Sequence, residues 1–310
     1  MMTPVPDIPG LVRKANMLRR QVLEMCFARG GHISTCYSYV ELLVALYYGG
    51  VLRIDPARPD WPERDRFILS KGHGETLLYA ALADLGFFPA EWLETGYRAG
   101  DCRLGGHIDH RIPGIEVTTG ALGHGLGLAC GLALAARLDG AARRHYVLLG
   151  DAECSEGSVW EAALFATQWR LGNLIAIIDR NGIGSLDFTE NYIALEPLAD
   201  KWRAFGWDVV VVEDGHDFGQ LLPALADSAP RSGDRPLMII ARTIKGKGVS
   251  LFENDPVWHV RPVTADLIDR ARAELEAQAE LEAQAELEAQ AELEAQSELE
   301  AQSELEEGAR

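Results

Sequence analysis

The stretch that decides the fold is HYVLLGDAECSEGSVWEAALFATQWRLGNLIAIIDRN, which occupies residues 145–181. It holds two short apolar runs, at 145–149 and 174–178, separated by a segment with helical periodicity at 160–171. Continuous apolar strands that alternate with helices predict a parallel sheet with helices on both faces. Ligands of such sheets bind beyond the carboxyl ends of the strands, so we expect the functional site there.

The same alternation continues on both sides of this stretch. Downstream, apolar runs at 207–212 and 236–241 flank a helical pattern at 218–228. Upstream, helical periodicity appears at 11–28, 39–48 and 76–85. The predicted fold class is therefore α/β, with one domain over residues 1–264 and a tail over 265–310.

The tail repeats ELEAQA or ELEAQS with a period of six residues. A step of six turns a helix by about 240°, so the leucines spread over three faces and form no coiled-coil seam. The tail also carries most of the formal net charge of -18. Its residues are good helix formers, which favours an acidic, low-complexity, solvated helical extension, and a docking role is the alternative.

The remaining composition excludes several classes of protein. The body has no basic cluster, which argues against a nucleic-acid partner. The five cysteines are odd in number and share no CxxC spacing, so we interpret them as small buried residues in a reducing compartment. The N-terminus lacks the apolar core of a signal peptide, and glycines and a histidine interrupt the most apolar run, at 121–138. We expect a cytoplasmic protein with no membrane partner.

Two polar residues stand where the apolar runs of the deciding stretch end. Asp151 follows the first run, and Asn181 follows the second, thirty residues later. Ends of parallel strands can be neighbours, so a carboxylate and an amide oxygen would converge at one point. Hard oxygen ligands suit Mg²⁺ or Ca²⁺, with a phosphate as a further ligand. Taken singly, Asp151 could instead cap the following helix, and Asn181 could form a turn with Gly182.

With their flanks, these residues resemble a known motif. GDAECSEGSVWEAA at 150–163 and IIDRN at 177–181 are similar to the metal-diphosphate motif of thiamine-diphosphate enzymes, and most closely to that of transketolases. Further segments resemble this family in the same order along the chain: GHIS at 31–34, SKGHG at 70–74, GH at 106–107, TTGALG at 118–123, and IKGKG at 244–248 followed by Trp258-His259. The resemblance implies a thiamine-diphosphate-binding fold, α/β in class, with helices on both faces of a parallel sheet.

The resemblance also implies how the cofactor is held. Thiamine diphosphate would contact the two motifs, the SKGHG segment and the TTGALG turn, at His73, Gly120, Ala121, Leu122, Gly150, Asp151, Ala152 and Asn181. Its metal ion, Mg²⁺ or Ca²⁺, would be bound by Asp151, Asn181 and the backbone carbonyl of Ile183. The chain departs from the family at Ala152, where the second glycine of Gly-Asp-Gly is usual, and in the loop at 182–188.

The catalytic residues implied by the resemblance are His32, His73, His107, His259 and Glu156. His32, His73 and His259 would line the substrate channel, and His107 would hold the hydroxyl of the transferred two-carbon unit. Glu156, with Glu161, matches an acidic pair that faces the subunit interface. Imidazoles suit this chemistry, because they exchange protons near pH 7 with oxygens whose charge changes. A single histidine beside glycine is more often structural, but four on the matching motifs favour function.

The repeats begin soon after residue 264, where transketolases continue with a pyrimidine-binding domain. We therefore expect the N-terminal subunit of a split transketolase that moves a two-carbon ketol unit from a ketose, or ketose phosphate, to an aldose. A separate C-terminal subunit with the pyrimidine-binding domain would complete an α2β2 assembly. Two alternatives stay open: delivery of the two-carbon unit to a carrier or a specialised-metabolite intermediate, and a non-catalytic scaffold subunit.

Overall fold

A five-stranded parallel sheet organises the computed structural model, which describes residues 7–100, 103–226 and 234–308, with side chains up to residue 288. The strands are β1 Arg66–Leu69, β2 His145–Gly150, β3 Leu174–Arg180, β4 Asp208–Val212 and β5 Leu237–Arg242. Their spatial order is β1-β2-β3-β5-β4, and every neighbouring pair is parallel. The four predicted strands are confirmed. Strand β1 was missed, because four residues beginning with Arg66 are too few to show a periodicity.

Helices surround this sheet. They are α1 Ile8–Arg29, α2 Ile33–Tyr37, α3 Val40–Tyr48, α4 Glu75–Asp84, α5 Glu91–Thr95, α6 Gly125–Leu138, α7 Gly157–Gln168, α8 Thr189–Tyr192, α9 Leu198–Ala204, α10 Phe218–Ala226 and α11 Ala265–Gly308. The helices predicted from periodicity correspond to α1, α3, α4, α7 and α10, with ends displaced by a few residues in the first four, and positions 227–228 of the last prediction lie outside the described residues.

Alternate residues of each strand enter two separate cores, as the period of two in a strand requires. Tyr146 and Ile177 pack in a first layer built from α1 to α4 and α10. Val147 and Ile178 pack in a second layer built from α6, α7 and α9. The predicted sheet with helices on both faces is confirmed.

The first turns of α11 are buried against α1, and the following turns, whose side chains are described up to residue 288, stay beside α1 through the Asn16–Glu282 and Arg13–Glu286 contacts but leave their leucines exposed. Ile268, Ala271 and Leu275 are buried in the core of the first layer. Leu281 and Leu287, in contrast, are 68% and 66% exposed. The six-residue period explains the difference, because successive leucines point in different directions. The boundary between 264 and 265 stays a prediction, although α11 begins at Ala265.

The cysteines within the described residues are free and buried: Cys26, Cys36, Cys130 and Cys154. Cys102 lies outside the described residues. In the same described residues, no helix is both long enough and apolar enough to cross a membrane.

Candidate functional site

A pocket of about 330 Å³ lies at the carboxyl ends of β2, β3 and β5. It brings together most of the residues implied by the sequence: His73, Gly120, Leu122, Gly150, Asp151, Ala152, Glu156, Asn181, Ile183 and His259. A larger space of about 410 Å³ lies between α1 and α11, but no histidine lines it. The strand-end pocket is therefore the candidate active site.

Three imidazoles pack against one another beside this pocket. The ring centroids of His32 and His73 are 5.1 Å apart, those of His32 and His259 are 5.5 Å apart, and those of His73 and His259 are 5.4 Å apart. Burial, reinforced by nearby cations, lowers the pKa of His32 to about 4 and that of His259 to about 3. The same causes hold the pKa of His73 well below its ordinary value. All three rings are therefore neutral near pH 7 and able to donate or accept a hydrogen bond.

The Nδ1 atom of His32 is buried and has no hydrogen-bond partner among the described residues. An orphaned polar atom of this kind is uncommon in protein interiors and calls for an explanation. A polar ligand that enters between the three rings would supply the missing partner.

His107 and Ala121 are exposed and lie outside the lining of the pocket, although the resemblance implies a role for each. His107 is exposed, and its ring packs over Gly120, where an added Cβ would come within 3.1 Å of the ring. Ala121 is also exposed and is not part of the pocket lining. At Gly123, φ is 82° and a Cβ would lie 2.6 Å from Glu156, so the turn before α6 requires glycine.

Asp151 directly follows β2 and has almost no solvent contact, with 1% of its surface exposed. Its carboxylate accepts hydrogen bonds from the backbone N–H groups of Gly182 at 2.6 Å and Ala152 at 2.7 Å, and from Arg180 at 3.0 Å. Burial and the neighbouring Asp179 nevertheless raise its pKa. Arg180 and the two N–H groups thus offset only part of the effect of burial and of the neighbouring Asp179 charge on this pKa.

Three residues that line this part of the pocket carry oxygens suited to a divalent cation: the Asp151 carboxylate, Asn181 Oδ1 and the Ile183 carbonyl. Asn181 Oδ1 accepts from the Ile183 N–H at 3.1 Å, and the Ile183 carbonyl accepts from Lys245 Nζ at 2.9 Å. No cluster of three or more His, Cys, Asp or Glu within the described ranges could hold a metal by itself. A donor set of one carboxylate, one amide and one carbonyl fits Mg²⁺ or Ca²⁺ that takes further ligands from a diphosphate.

Asp179 is a residue of this site that sequence reasoning missed. It is fully buried at the end of β3 and forms an ion pair with Lys71. Ser38 Oγ donates to it at 2.6 Å, and Asn181 Nδ2 donates at 3.1 Å. Burial alone would raise the pKa of Asp179, but Lys71 and the hydrogen bonds outweigh this effect and lower it. A charged residue at the end of the apolar run LIAIID was the available signal.

Glu153 is a second missed residue, and it joins three of the motifs. Its buried carboxylate accepts hydrogen bonds from the N–H of Gly123 at 2.8 Å, from the N–H of Gly150 at 3.0 Å, and from Ser70 Oγ. These partners belong to the TTGALG turn, the GDA turn and the SKGHG loop. Glu153 therefore fixes the relative positions of three segments that form the pocket.

Lys245 is a third missed residue, and it places an amine inside the pocket. It is 2% exposed, and its Nζ lies 2.9 Å from the Ile183 carbonyl and 3.0 Å from Nδ1 of His259. Burial and the nearby Lys71 lower its pKa to about 8. The amine links the oxygen cluster to the imidazole cluster.

Known proteins resemble this chain in sequence and in fold. The family described as transketolase, thiamine diphosphate binding domain, matches residues 13–308. The 6-deoxy-6-sulfo-D-fructose transketolase subunit SqwG of Clostridium sp. (strain MSTE9) is 45% identical over 268 residues, covering 86% of this chain and 96% of that protein. One of the apulose-4-phosphate transketolase subunits, from Actinobacillus succinogenes, is 43% identical over 269 residues, with 86% and 96% coverage.

A solved structure gives the same result for the fold. Transketolase from Campylobacter jejuni subsp. jejuni NCTC 11168 superposes with a TM-score of 0.80 at 29% identity. The match covers 86% of this chain but 42% of that transketolase. The chain thus spans less than half of the single-chain enzyme, and nearly all of the two relatives that are named as subunits.

Proposed function

Since this chain belongs to the family of transketolase thiamine-diphosphate-binding domains, we propose that it transfers a two-carbon ketol unit from a ketose to an aldose as one half of a two-component enzyme. The predicted family, fold, cofactor class and reaction class are confirmed by the matches. The individual residue roles, the metal and the partner's architecture belong to the proposal.

The observation that carries this function is the cluster of three neutral imidazoles over a strand-end oxygen site. Thiamine diphosphate, when bound, supplies the carbanion chemistry that makes and breaks the carbon-carbon bond. His32, His73 and His259 then orient the sugar hydroxyls and hold or accept protons at the oxygens whose charge changes. His107, whose exposed ring packs over Gly120, would contact the hydroxyl of the two-carbon unit.

The diphosphate end of the cofactor would lie on the GDA turn. Asp151, Asn181 and the Ile183 carbonyl would bind Mg²⁺ or Ca²⁺, whose charge satisfies the buried Asp151 carboxylate. Gly120 and Leu122 would contact the cofactor from the opposite wall of the pocket. In this arrangement the Asp151 carboxylate would be the anionic protein ligand of the cation, and the cation would bind the diphosphate.

The partner would be a separate subunit with the pyrimidine-binding domain, in an α2β2 assembly. Support comes from an apolar surface on α6 and α7, which we call the α6–α7 face: Leu128, Leu164, Phe165 and Trp169, between 38% and 59% exposed. The rings of Phe165 and Trp169 pack against each other with centroids 5.9 Å apart, and clusters of exposed apolar side chains mark association surfaces. Glu156 and Glu161 are exposed beside this face, as an acidic pair at an interface would be. The four buried free thiols favour assembly in the cytoplasm.

The function is tested by co-expressing the chain with candidate partner subunits and following ketol transfer from labelled ketoses. The donors should include 6-deoxy-6-sulfo-D-fructose and apulose 4-phosphate, which appear in the names of the two relatives. We expect transfer only with a partner, thiamine diphosphate and a divalent cation together. If the cofactor binds but no pair of proteins transfers the ketol unit, the scaffold alternative is favoured. If neither cofactor binding nor transfer is found, the proposed enzymatic function is overturned.

The association surface has its own test. Leu164→Glu on the α6–α7 face should weaken assembly with the partner at least about tenfold, because a charge would be buried at the contact. Leu281→Glu, equally exposed but on α11, is the matched control and should leave assembly unchanged. Native mass spectrometry of the co-expressed proteins measures both, and equal assembly for the two variants would contradict this surface.

A further inference from the structure

We propose that a buried cluster of Arg19, Glu41 and His216 positions the loop at 244–248, and through it the amine of Lys245 in the pocket. The three residues come from α1, α3 and the turn before α10, and none of them lines the pocket itself. They are therefore positioning residues. Only the consequence for turnover rests on the proposed function.

The cluster is a chain of polar contacts with little access to solvent. Arg19 and Glu41 form an ion pair at 2.6 Å, with side chains 3% and 8% exposed. The other carboxylate oxygen of Glu41 lies 2.8 Å from Nδ1 of His216. Burial alone would raise the pKa of Glu41, but Arg19 and His216 outweigh it and lower that pKa to about 2. Glu41 is thus a carboxylate with a partner on each oxygen.

Both ends of the cluster hold the loop by its backbone. The N–H of Ile244 donates to Nε2 of His216 at 2.8 Å, so Nδ1 carries the ring proton of neutral His216 and donates it to Glu41. At the other end, Nε of Arg19 donates to the Lys247 carbonyl at 2.9 Å. The two anchors therefore bracket Lys245 in the sequence.

The backbone of the loop is adapted to these anchors. Gly246 and Gly248 have φ values of 82° and 101°, which favour glycine. A Cβ on Gly248 would lie 2.9 Å from Nε of Arg19, so the arginine packs directly on the loop. Between the anchors, the Gly246 N–H donates to the Ser34 carbonyl at 3.1 Å. The side chain of Lys245 is left to reach Ile183 and His259 in the pocket.

A buried ion pair contributes little net stability but is costly to break. In this protein we infer that the pair serves to fix a geometry. The geometry is that of the loop at 244–248, whose backbone is held by the guanidinium of Arg19 and the imidazole of His216. Removing one anchor should loosen Lys245 without removing any group that lines the pocket.

The experiment measures hydrogen exchange of the full chain by mass spectrometry. In His216→Phe, amides of the 244–248 segment should exchange about tenfold faster, because the anchor of Ile244 is lost. His216→Gln, whose amide can still accept from Ile244 and donate to Glu41, should restore most of the protection. The control is Glu116→Gln, which breaks a partly buried pair with Arg64 elsewhere and should leave the segment unchanged.

A second readout follows the amine itself. Acylation of Lys245 by acetic anhydride, quantified by mass spectrometry, should rise about tenfold in His216→Phe in step with local opening. Arg19→Lys keeps the charge beside Glu41 but loses the N–H that holds Lys247, so it should act in the same direction if His216→Phe fails to fold. Unchanged exchange and acylation in either folded variant would overturn the proposal, as would equal acceleration in His216→Phe and His216→Gln.

Steady-state kinetics of the assembled enzyme test the positioning role together with the proposed function. In the assembled enzyme, His216→Phe should lower kcat about tenfold while KM for the donor stays the same, because the amine is displaced and no substrate contact is removed. Glu116→Gln should keep both values. If no partner gives transfer, the exchange and acylation measurements still decide the positioning role.

Discussion

Asp151 and Asp179 end two neighbouring strands, and both carboxylates are buried, yet their pKa values are displaced in opposite directions. Asp179 has a buried ammonium, two hydroxyls and an amide around it. Asp151 has backbone N–H groups and Arg180, which Glu190 and Glu196 also engage. The difference teaches that burial does not assign a role. The partners of Asp179 favour its charged form enough to outweigh burial, whereas those of Asp151 do not, and Asp151 is the one that we propose as a metal ligand.

The largest expected effect is on stability, at the end of β3. Asp179→Asn leaves the buried ammonium of Lys71 without a counter-charge, so the free energy of unfolding should fall by about 3–5 kcal/mol. Urea unfolding followed by circular dichroism measures the change. Asp200→Asn, on the exposed surface of α9, is the control and should cost less than about 0.5 kcal/mol. Equal losses of unfolding free energy in the two variants would show that the charge of Asp179 has no special structural role.

The second effect is on binding, at the end of β2. Asp151→Asn should weaken metal-dependent binding of thiamine diphosphate about 10- to 100-fold, because the carboxylate that we propose as the anionic metal ligand is lost. Its unfolding free energy should fall less than that of Asp179→Asn, since a raised pKa marks a charge that folding does not favour. Isothermal titration with and without Mg²⁺ tests the binding. An affinity equal to that of the unchanged chain would contradict the metal site.

The third effect extends the comparison to the imidazoles above both strand ends. An unfolded histidine binds a proton at a pKa of about 6.5, whereas the pKa values of His32 and His259 in the fold are about 4 and about 3. The unfolded chain therefore gains protons first, and stability should be lost as the pH falls from about 6.5 towards 4. His259→Gln should make this loss shallower by roughly one proton. Identical pH profiles of unfolding would contradict the buried, neutral ring.

The smallest effect concerns the departure from Gly-Asp-Gly. Ala152 is not among the non-glycine residues with positive φ, which are Arg98, Arg170 and Asn254 in the part of the chain that the structure describes. Ala152→Gly should therefore relieve no strain and should lower stability by about 0.4–1 kcal/mol through the unfolded chain. Cofactor affinity should be unchanged by titration. A tenfold gain in affinity would mean that the methyl group of Ala152 obstructs the diphosphate.

Sequence reasoning succeeded where the signal is local. The apolar runs that became β2 and β3 are continuous, and the polar residues Asp151 and Asn181 that follow them lie at one edge of the sheet, as a parallel arrangement requires. The order of the histidine motifs along the chain carried the family resemblance. These features depend on neighbours in the sequence or on a known pattern.

It failed where a residue is defined by distant partners. Asp179 belongs to the same run as Asn181, but Ser38 and Lys71, which compensate its charge, lie 141 and 108 residues away. Glu153 stands inside the GDAECSEGSVWEAA motif, and its contacts with Ser70 and Gly123 appear only after folding. No periodicity encodes such pairings, because each is created when separate loops meet at the strand ends.

The spatial order of the strands bears on how the protein behaves in concentrated solution. Strand β4 lies at the margin of the described sheet and consists of one aspartate and four valines, a composition that favours intermolecular β-pairing and aggregation. It is only five residues long, Asp208 begins it, and the exposed Glu213 follows it. Short length and flanking charge are the usual protections of such a margin. The chain should therefore resist fibril formation even when it is produced without its partner.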